Sequence, residues 1–281
     1  MKSAASSPDN RGAFTFIELL VVIAIIGTLA SLLLPSLIKA KAAVKATVCK
    51  NNLRQIAVAL NSYVTDFEHY PAAGFAVPMG NIVTLPYLDE TPWFLVLLAH
   101  AGQNPNVFYC PANPAVFRRK NYPRQVSPFE GFNPGSYGYN ALGTQAFPSV
   151  RLDATPRELL VLGLTPSFAA SFNVVPKFLP SSAVTMPSDM IAVGDSQSDG
   201  TNDFTISPIG LSDNSVAEQA WPGKRHRRGA NIVFCDGHVE HARQKKWLER
   251  TPEARRRWNR DNEPHAEGWH PREVLWSKYA E

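Results

Sequence analysis

Few side chains in this sequence have types and spacings suited to chemistry, and they fall in separate places. Glu18 is the only formal charge in the run Phe14 to Leu34 (FTFIELLVVIAIIGTLASLLL). A carboxylate inside a segment long enough to span a bilayer costs a few kcal/mol unless it is paired, so it reads as a functional group. Asp195, Asp199 and Asp203, with Asp213 nearby, could offer hard oxygen ligands to calcium. The run DSQSDGTND lacks the spacing and closing glutamate of an EF-hand loop, and Asp and Asn are also common turn residues. Calcium is the one cofactor this leaves open.

His226 and Asp236 could be taken for a catalytic dyad. Ten residues of extended chain separate them by roughly 30 Å, far beyond the roughly 3 Å that proton transfer needs. A structural His226 fits better, and Asp236 already has a turn role beside Gly237. Arg255, Arg256 and Arg257 lie among Trp247, Trp258, Trp269 and Trp276, an aromatic and basic mixture of the kind that binds single strands or anionic sugars. No nucleic-acid motif accompanies it, and a docked or intersubunit extension is the expected role. The chain has no G-x-S-x-G, H-E-x-x-H or phosphate-cradling loop, so the expectation is that it is not an enzyme.

The elements that must position these groups begin with the apolar run. A cleavable secretory signal usually has an apolar core of about 7–15 residues. The run Phe14 to Leu34 is longer than that, although Ala40-Lys41-Ala42 offers a rival cleavage site. Beyond it, Cys49, Leu53, Ile56, Leu60, Tyr63 and Phe67 form an apolar stripe at helical spacing, ended by Tyr70-Pro71. Prolines crowd the span from Pro71 to Pro222, which predicts loops, short strands and one short helix near Trp93 to Ala101. Asp189 to Gly194 reads as a buried strand. Ala230 to Glu240 (ANIVFCDGHVE) reads as a β-hairpin, with Asp236-Gly237 in a type I′ turn. Thr251-Pro252-Glu253 opens a helix reaching about Trp258, with a capping oxygen, proline in the first turn and an acid at the positive end.

An apolar fraction of 44% and a charged fraction of 19% suit a folded chain rather than a disordered one. The net charge of +4 is uneven: from Lys224 to Arg260 there are twelve Lys/Arg against four Asp/Glu. A solvated surface is the expected reading of that stretch.

The segment Arg11-Gly12-Ala13-Phe14-Thr15-Phe16-Ile17-Glu18-Leu19-Leu20 resembles the leader of type IV pilins and type II secretion pseudopilins. The resemblance implies cleavage between Ala13 and Phe14 by a prepilin peptidase and N-methylation at Phe14. It also implies a kinking proline at Pro35 and an assembly role for Glu18, whose carboxylate would neutralise the new amine of a neighbouring subunit. Ala13 departs from the family's usual glycine before the cut. His226, nine residues and Asp236-Gly237 resemble the H-X9-DG element of a planctomycete and verrucomicrobial group of prepilin-like proteins. Cys49 to Pro71, Phe108 to Pro111, Tyr137-Gly138-Tyr139-Asn140 and Val193-Gly194-Asp195-Ser196 are also similar to that group.

The resemblance implies an α+β fold, a long helix packed on an antiparallel β-sheet head. The expected divisions are a leader (1–13), a membrane and assembly helix (14–35), its amphipathic continuation (36–70), a β-rich head (71–243) and a basic, Trp-rich extension (244–281). It places the leader in the cytoplasm and the head outside, in the periplasm or beyond. Lys39, Lys41, Lys45, Lys50 and Arg54, set against Lys2 and Arg11, would favour the opposite orientation. In that oxidising setting Cys49 and Cys110 can pair and staple the stem to the head, while Cys235 reads as a small buried apolar residue. Expected partners are the prepilin peptidase, other pilin or pseudopilin subunits, the assembly platform and the membrane; nucleic acid is not expected. The implied function is a minor subunit of a type II secretion-like pseudopilus or a type IV pilus-like filament. The alternative is a tethered module binding carbohydrate or another surface ligand.

Overall fold

The computed structural model describes residues 15–71, 93–113, 136–141, 143, 158–159, 162–164, 168–169, 178–197, 205–208 and 221–266. Helix α1 runs from Phe16 to Phe67 without interruption and contains Pro35. Two compact units divide the chain, residues 1–44 and residues 45–281. In the first, α1 carries only exposed side chains through residue 44. In the second, Cys49, Leu53, Ile56, Leu60 and Tyr63 turn inward as the stripe predicts. Phe67 does not: it is 52% exposed, its ring resting on Tyr63 at 4.7 Å. The helix also stops before Tyr70-Pro71. Glu68 takes a left-handed φ of 60°, and Tyr70 N–H then donates to Leu179 O at 2.8 Å, so a tertiary pairing ends α1 before proline can.

After α2 (Trp93–His100) and a 3₁₀ turn (Pro105–Phe108), the head contributes β1 (Tyr137–Tyr139), β2 (Glu158–Leu159), β3 (Phe168–Ala169), β4 (Ile191–Asp195), β5 (Gly229–Phe234) and β6 (Val239–Arg243). The sheet order is β1-β4-β5-β6, every pair antiparallel; β2 and β3 form a separate antiparallel pair. The fold is α+β, a long N-terminal helix followed by a four-stranded antiparallel sheet.

Both faces of this sheet are covered, which is why all six residues of β5 are buried and the strand lacks simple in–out alternation. Val193 and Val233 belong to the core built on α1 with Trp93, Phe108 and Tyr139. Ile191, Ile232 and Phe234 point into a second cluster with Trp247 and Trp258. The β5–β6 hairpin forms, but its turn is not type I′. Gly237 N–H donates to Phe234 O at 2.9 Å and Phe234 N–H to His238 O at 3.0 Å. Only Gly237 has a positive φ, 94°. The loop is thus Cys235-Asp236-Gly237, with glycine at the left-handed position of a three-residue turn.

The expected break at 243/244 is not a break in packing. Helices α3 (Gln244–Trp247) and α4 (Pro252–Arg255), with the 3₁₀ turn Arg256–Trp258, bring Trp247, Arg255 and Trp258 into the interior. Thr251 caps α4 by accepting from Ala254 N–H at 3.3 Å. Asn140 Nδ2 donates to both Ile191 O and Trp258 O at 2.9 Å, tying this segment to the sheet. Arg256 and Arg257 each meet Asp189 at 3.0 Å, and Arg257 meets Glu240 at 2.7 Å. Arg256 and Arg257 are therefore paired within the head. Trp269 and Trp276 lie outside the described residues. Trp258→Ala should cost about 3–5 kcal/mol in urea unfolding of the full chain in detergent. A loss below about 0.5 kcal/mol, as for a surface substitution, would return the segment to an appended tail.

Candidate functional site: a membrane-helix carboxylate and a buried histidine

The N-terminal site begins with Thr15. Its backbone N–H and its hydroxyl both donate to Glu18 Oε2, at 2.8 and 2.7 Å, and Glu18 N–H donates to Thr15 Oγ1 at 3.3 Å. Thr-x-x-Glu is a capping box, which satisfies orphan donors of the first turn and holds the carboxylate at the positive end of the helix dipole. Beside the assembly role that the resemblance implies, Glu18 thus has a second, capping role, which Thr15-Phe16-Ile17-Glu18 spells in the sequence. Downstream, the hydroxyls of Thr28, Ser31 and Ser36 bond back to carbonyls of their own helix, so none needs water. With a mean hydropathy of 2.6 and none of its most apolar window buried, this is a helix long and apolar enough to cross a membrane. Ala13 and Phe14 lie outside the described residues.

The head site gathers around the motif histidine. His226 does not approach Asp236; its Nε2 lies 3.5 Å from Asp195 Oδ2 and 3.4 Å from Cys110 Sγ. Cys110 is bonded to Cys49 of α1 in a disulfide, which closes a long loop and stabilises by about 4 kcal/mol in the chain-entropy account. Asp195 Oδ2 also accepts from the backbone and side chain of Asn231, at 2.7 and 2.9 Å. Arg225 stands 3.6 Å from Oδ1, its guanidinium donating to Ser196 O and Ser136 O. Burial pushes the Asp195 carboxyl up. Its pairing with His226, the Arg225 charge and the Asn231 amide outweigh that and leave it below the usual carboxylate range.

At the other end of β5, Gly237 sits against α1: a Cβ there would lie 2.8 Å from Asn61 Nδ2. The H-X9-DG element thus brackets β5: His226 before the strand meets Cys110, which is bonded to Cys49 of α1, and Gly237 after it lies against Asn61 of α1.

The Tyr137-Gly138-Tyr139-Asn140 element serves the same assembly. Tyr137 Oη donates to Cys49 O at 3.3 Å, and Tyr139 Oη to Pro71 O at 3.0 Å. A Cβ on Gly138 would fall 2.4 Å from the Thr205 backbone.

The sulfurs of Cys49 and Cys110 and His226 Nε2 lie within 4.8 Å of one another, but closed in a disulfide the sulfurs are not thiolates. Cys235 is buried and free, its thiol pushed up to about 12 by burial. Of the acidic candidates, Asp195 is fully buried and engaged as above, while Asp199 and Asp203 lie outside the described residues. The Asp195–His226–Cys110 convergence leaves no signal in the sequence. The partners are far apart in the chain, and only tertiary packing joins them.

A long apolar helix with a carboxylate in its first turn, continuing as the core wall of a β-sheet head, defines the class of pilin-like stem-and-head proteins. Residues 8–34 match a family model described as a prokaryotic N-terminal methylation motif. Residues 39–159 match one described as a protein of unknown function (DUF1559). The chain is 39% identical over 85 residues to the type IV major pilin protein PilA of Myxococcus xanthus, covering 29% of this chain and 38% of that one. It is 39% identical over 63 residues to type II secretion system core protein G of Pseudomonas aeruginosa, 22% and 44% of the two chains. To core protein G of Escherichia coli it is 31% identical over 106 residues, 38% and 68% of the two chains. This chain belongs to the type IV pilin and type II secretion pseudopilin family. It spans less than half the length of the first two relatives. No solved structure matches it.

Because the folded Asp195 pKa lies below its ordinary value, its stabilisation is full above the unfolded carboxyl pKa of about 4 and is lost as pH falls through the folded value. Asp195→Asn should cost about 3–5 kcal/mol at pH 7, as removing one member of a buried pair does. The gap to wild type should narrow when urea titrations are repeated at pH 3. A gap unchanged by pH would contradict the charged role of Asp195.

Proposed function

We propose that this chain is a subunit, and a minor one, of a type II secretion-like pseudopilus or type IV pilus-like filament. It is cut by a prepilin peptidase between Ala13 and Phe14, methylated on the Phe14 amine, held in the cytoplasmic membrane by residues 14–35, and drawn into the filament by an assembly platform. Its head lies on the outer side. The observation that carries this reading is Glu18 at the start of a helix otherwise without charge as far as Leu34. A carboxylate there is stable in an apolar surround only with a cationic partner, and the freed amine of Phe14 on a neighbouring subunit supplies one. The minor role is supported by size: the matched 106 residues are 38% of this chain but 68% of the Escherichia coli relative, so this head is the larger.

Glu18 both caps the helix and carries charge, so the test must separate these. Glutamine serves equally in a capping box, so Glu18→Gln keeps the cap and removes the charge. In the native host, Glu18→Gln should leave the chain in the membrane with its head folded, and lower its recovery in sheared or pulled-down filaments at least tenfold. Normal recovery of Glu18→Gln with loss of Glu18→Ala would reduce Glu18 to a helix cap.

A further inference from the structure

Beyond the apolar run, α1 carries charge of one sign. From Leu19 to Thr65 there are five bases, Lys39, Lys41, Lys45, Lys50 and Arg54, and no Asp or Glu. All five lie on this one helix, and none has a carboxylate partner among the described residues. Lys39 and Lys41 are exposed, and so are Leu37, Ile38 and Val44 around them. An exposed mixture of aliphatic side chains and lysines suits the boundary between acyl chains and headgroups. There a lysine lays its stem along apolar surface and keeps its ammonium in the polar layer.

Depth decides which of the bases reach that layer. From Phe16 to Ile38 the helix rises about 33 Å at 1.5 Å per residue, enough to cross a hydrocarbon core of about 30 Å. Lys39 to Lys45 covers the next ~9 Å, against a headgroup layer about 5–8 Å deep. Lys50 and Arg54 stand about 16 and 22 Å beyond Lys39, clear of it. At about 100° per residue, Lys39 projects nearly opposite to Lys41 and Lys45, so the three make a collar around the helix and not a stripe along it. A second copy of this helix at the same depth brings the same lysines and no acid, so parallel stems repel one another here. Phosphate complements the collar. Positive charge after the span also opposes the expected orientation, and an anionic lipid surface on that side offsets it.

We propose, on the membrane reading of residues 14–35 given above, that Lys39, Lys41 and Lys45 form a binding collar for anionic phospholipid headgroups in the leaflet at the C-terminal end of the span. Each ammonium donates to phosphodiester oxygens of a phosphatidylglycerol-type lipid. The collar thereby fixes the depth of the apolar run in the bilayer.

The test is native mass spectrometry of the full chain, released from detergent micelles after incubation with an equimolar mixture of dioleoylphosphatidylglycerol and dioleoylphosphatidylcholine. The two lipids share their acyl chains, so the ratio bound reads the headgroup alone. Phosphatidylglycerol should be retained at least about fivefold over phosphatidylcholine, the factor that a single lysine near an anionic surface supplies. The triple variant Lys39→Gln, Lys41→Gln, Lys45→Gln should bring the ratio close to one. The double variant Lys50→Gln, Arg54→Gln, which removes charge beyond the headgroup layer, should leave it unchanged. A wild-type ratio near one, a preference that survives in the triple variant, or one lost equally in the double variant would overturn the proposal. Flotation of the wild-type chain with phosphatidylcholine vesicles separates this failure from that of the membrane reading. A chain that floats but shows no lipid preference sinks the collar alone, and a chain that does not float removes the span and the collar together.

Discussion

The face of α1 from Cys49 to Tyr63 is the wall against which the head is built. Cys49, Leu53, Ile56 and Leu60 are almost fully buried, and they share one core with Trp93, Phe94, Phe108, Tyr137 and Tyr139. A sheet of four short strands, with edges as brief as the three residues of β1, would be marginal alone. Laid on a rigid helix, and covered on its other face by Trp247 and Trp258, it becomes the middle layer of three. The same helix in residues 16–44 buries nothing of itself. One continuous element thus supplies a core wall in one unit and an unpartnered apolar surface in the other, and the second of these is what an anchoring and assembling segment must offer.

The polar interior follows from this arrangement. Closing a sheet onto a helix buries the loop ends where β1, β4 and β5 meet, and their carbonyls need donors. Arg225 supplies donors to Ser136 and Ser196, which places a guanidinium charge indoors. Asp195 balances that charge, and His226 and Asn231 complete the carboxylate. The family elements are in this sense one device. Tyr137 reaches α1 and Tyr139 reaches Pro71 just beyond it, Asp195 neutralises the interior, and β5 runs between His226 at the disulfide and Gly237 at Asn61.

Legibility in the sequence tracked the range of the interactions. The apolar run, the helical stripe, the cap at Thr251 and the hairpin around Asp236-Gly237 are local patterns, and each element formed where its pattern lay. The turn type did not follow, because Asp-Gly also suits a three-residue loop and only the strand register chooses between them. The site was half legible. Glu18 stands out because a charge in an apolar run is conspicuous, whereas Asp195 looked like one turn aspartate among several. After residue 243 the mix of arginine and tryptophan suggests a docked extension, but not its partners: Asp189 and Glu240 for Arg256 and Arg257, and the second core cluster for Trp247 and Trp258, are brought there only by tertiary packing.

The proposed function requires that α1, with the residues leading into it from Phe14, is a processed assembly segment rather than a plain tether. Mass spectrometry of the N-terminal peptide, taken from the protein purified from membranes of its native host, addresses this most directly. The expected peptide begins at Phe14 and is heavier by one methyl group. A peptide beginning at Met1, or at Ala43 after signal-type cleavage, would contradict it.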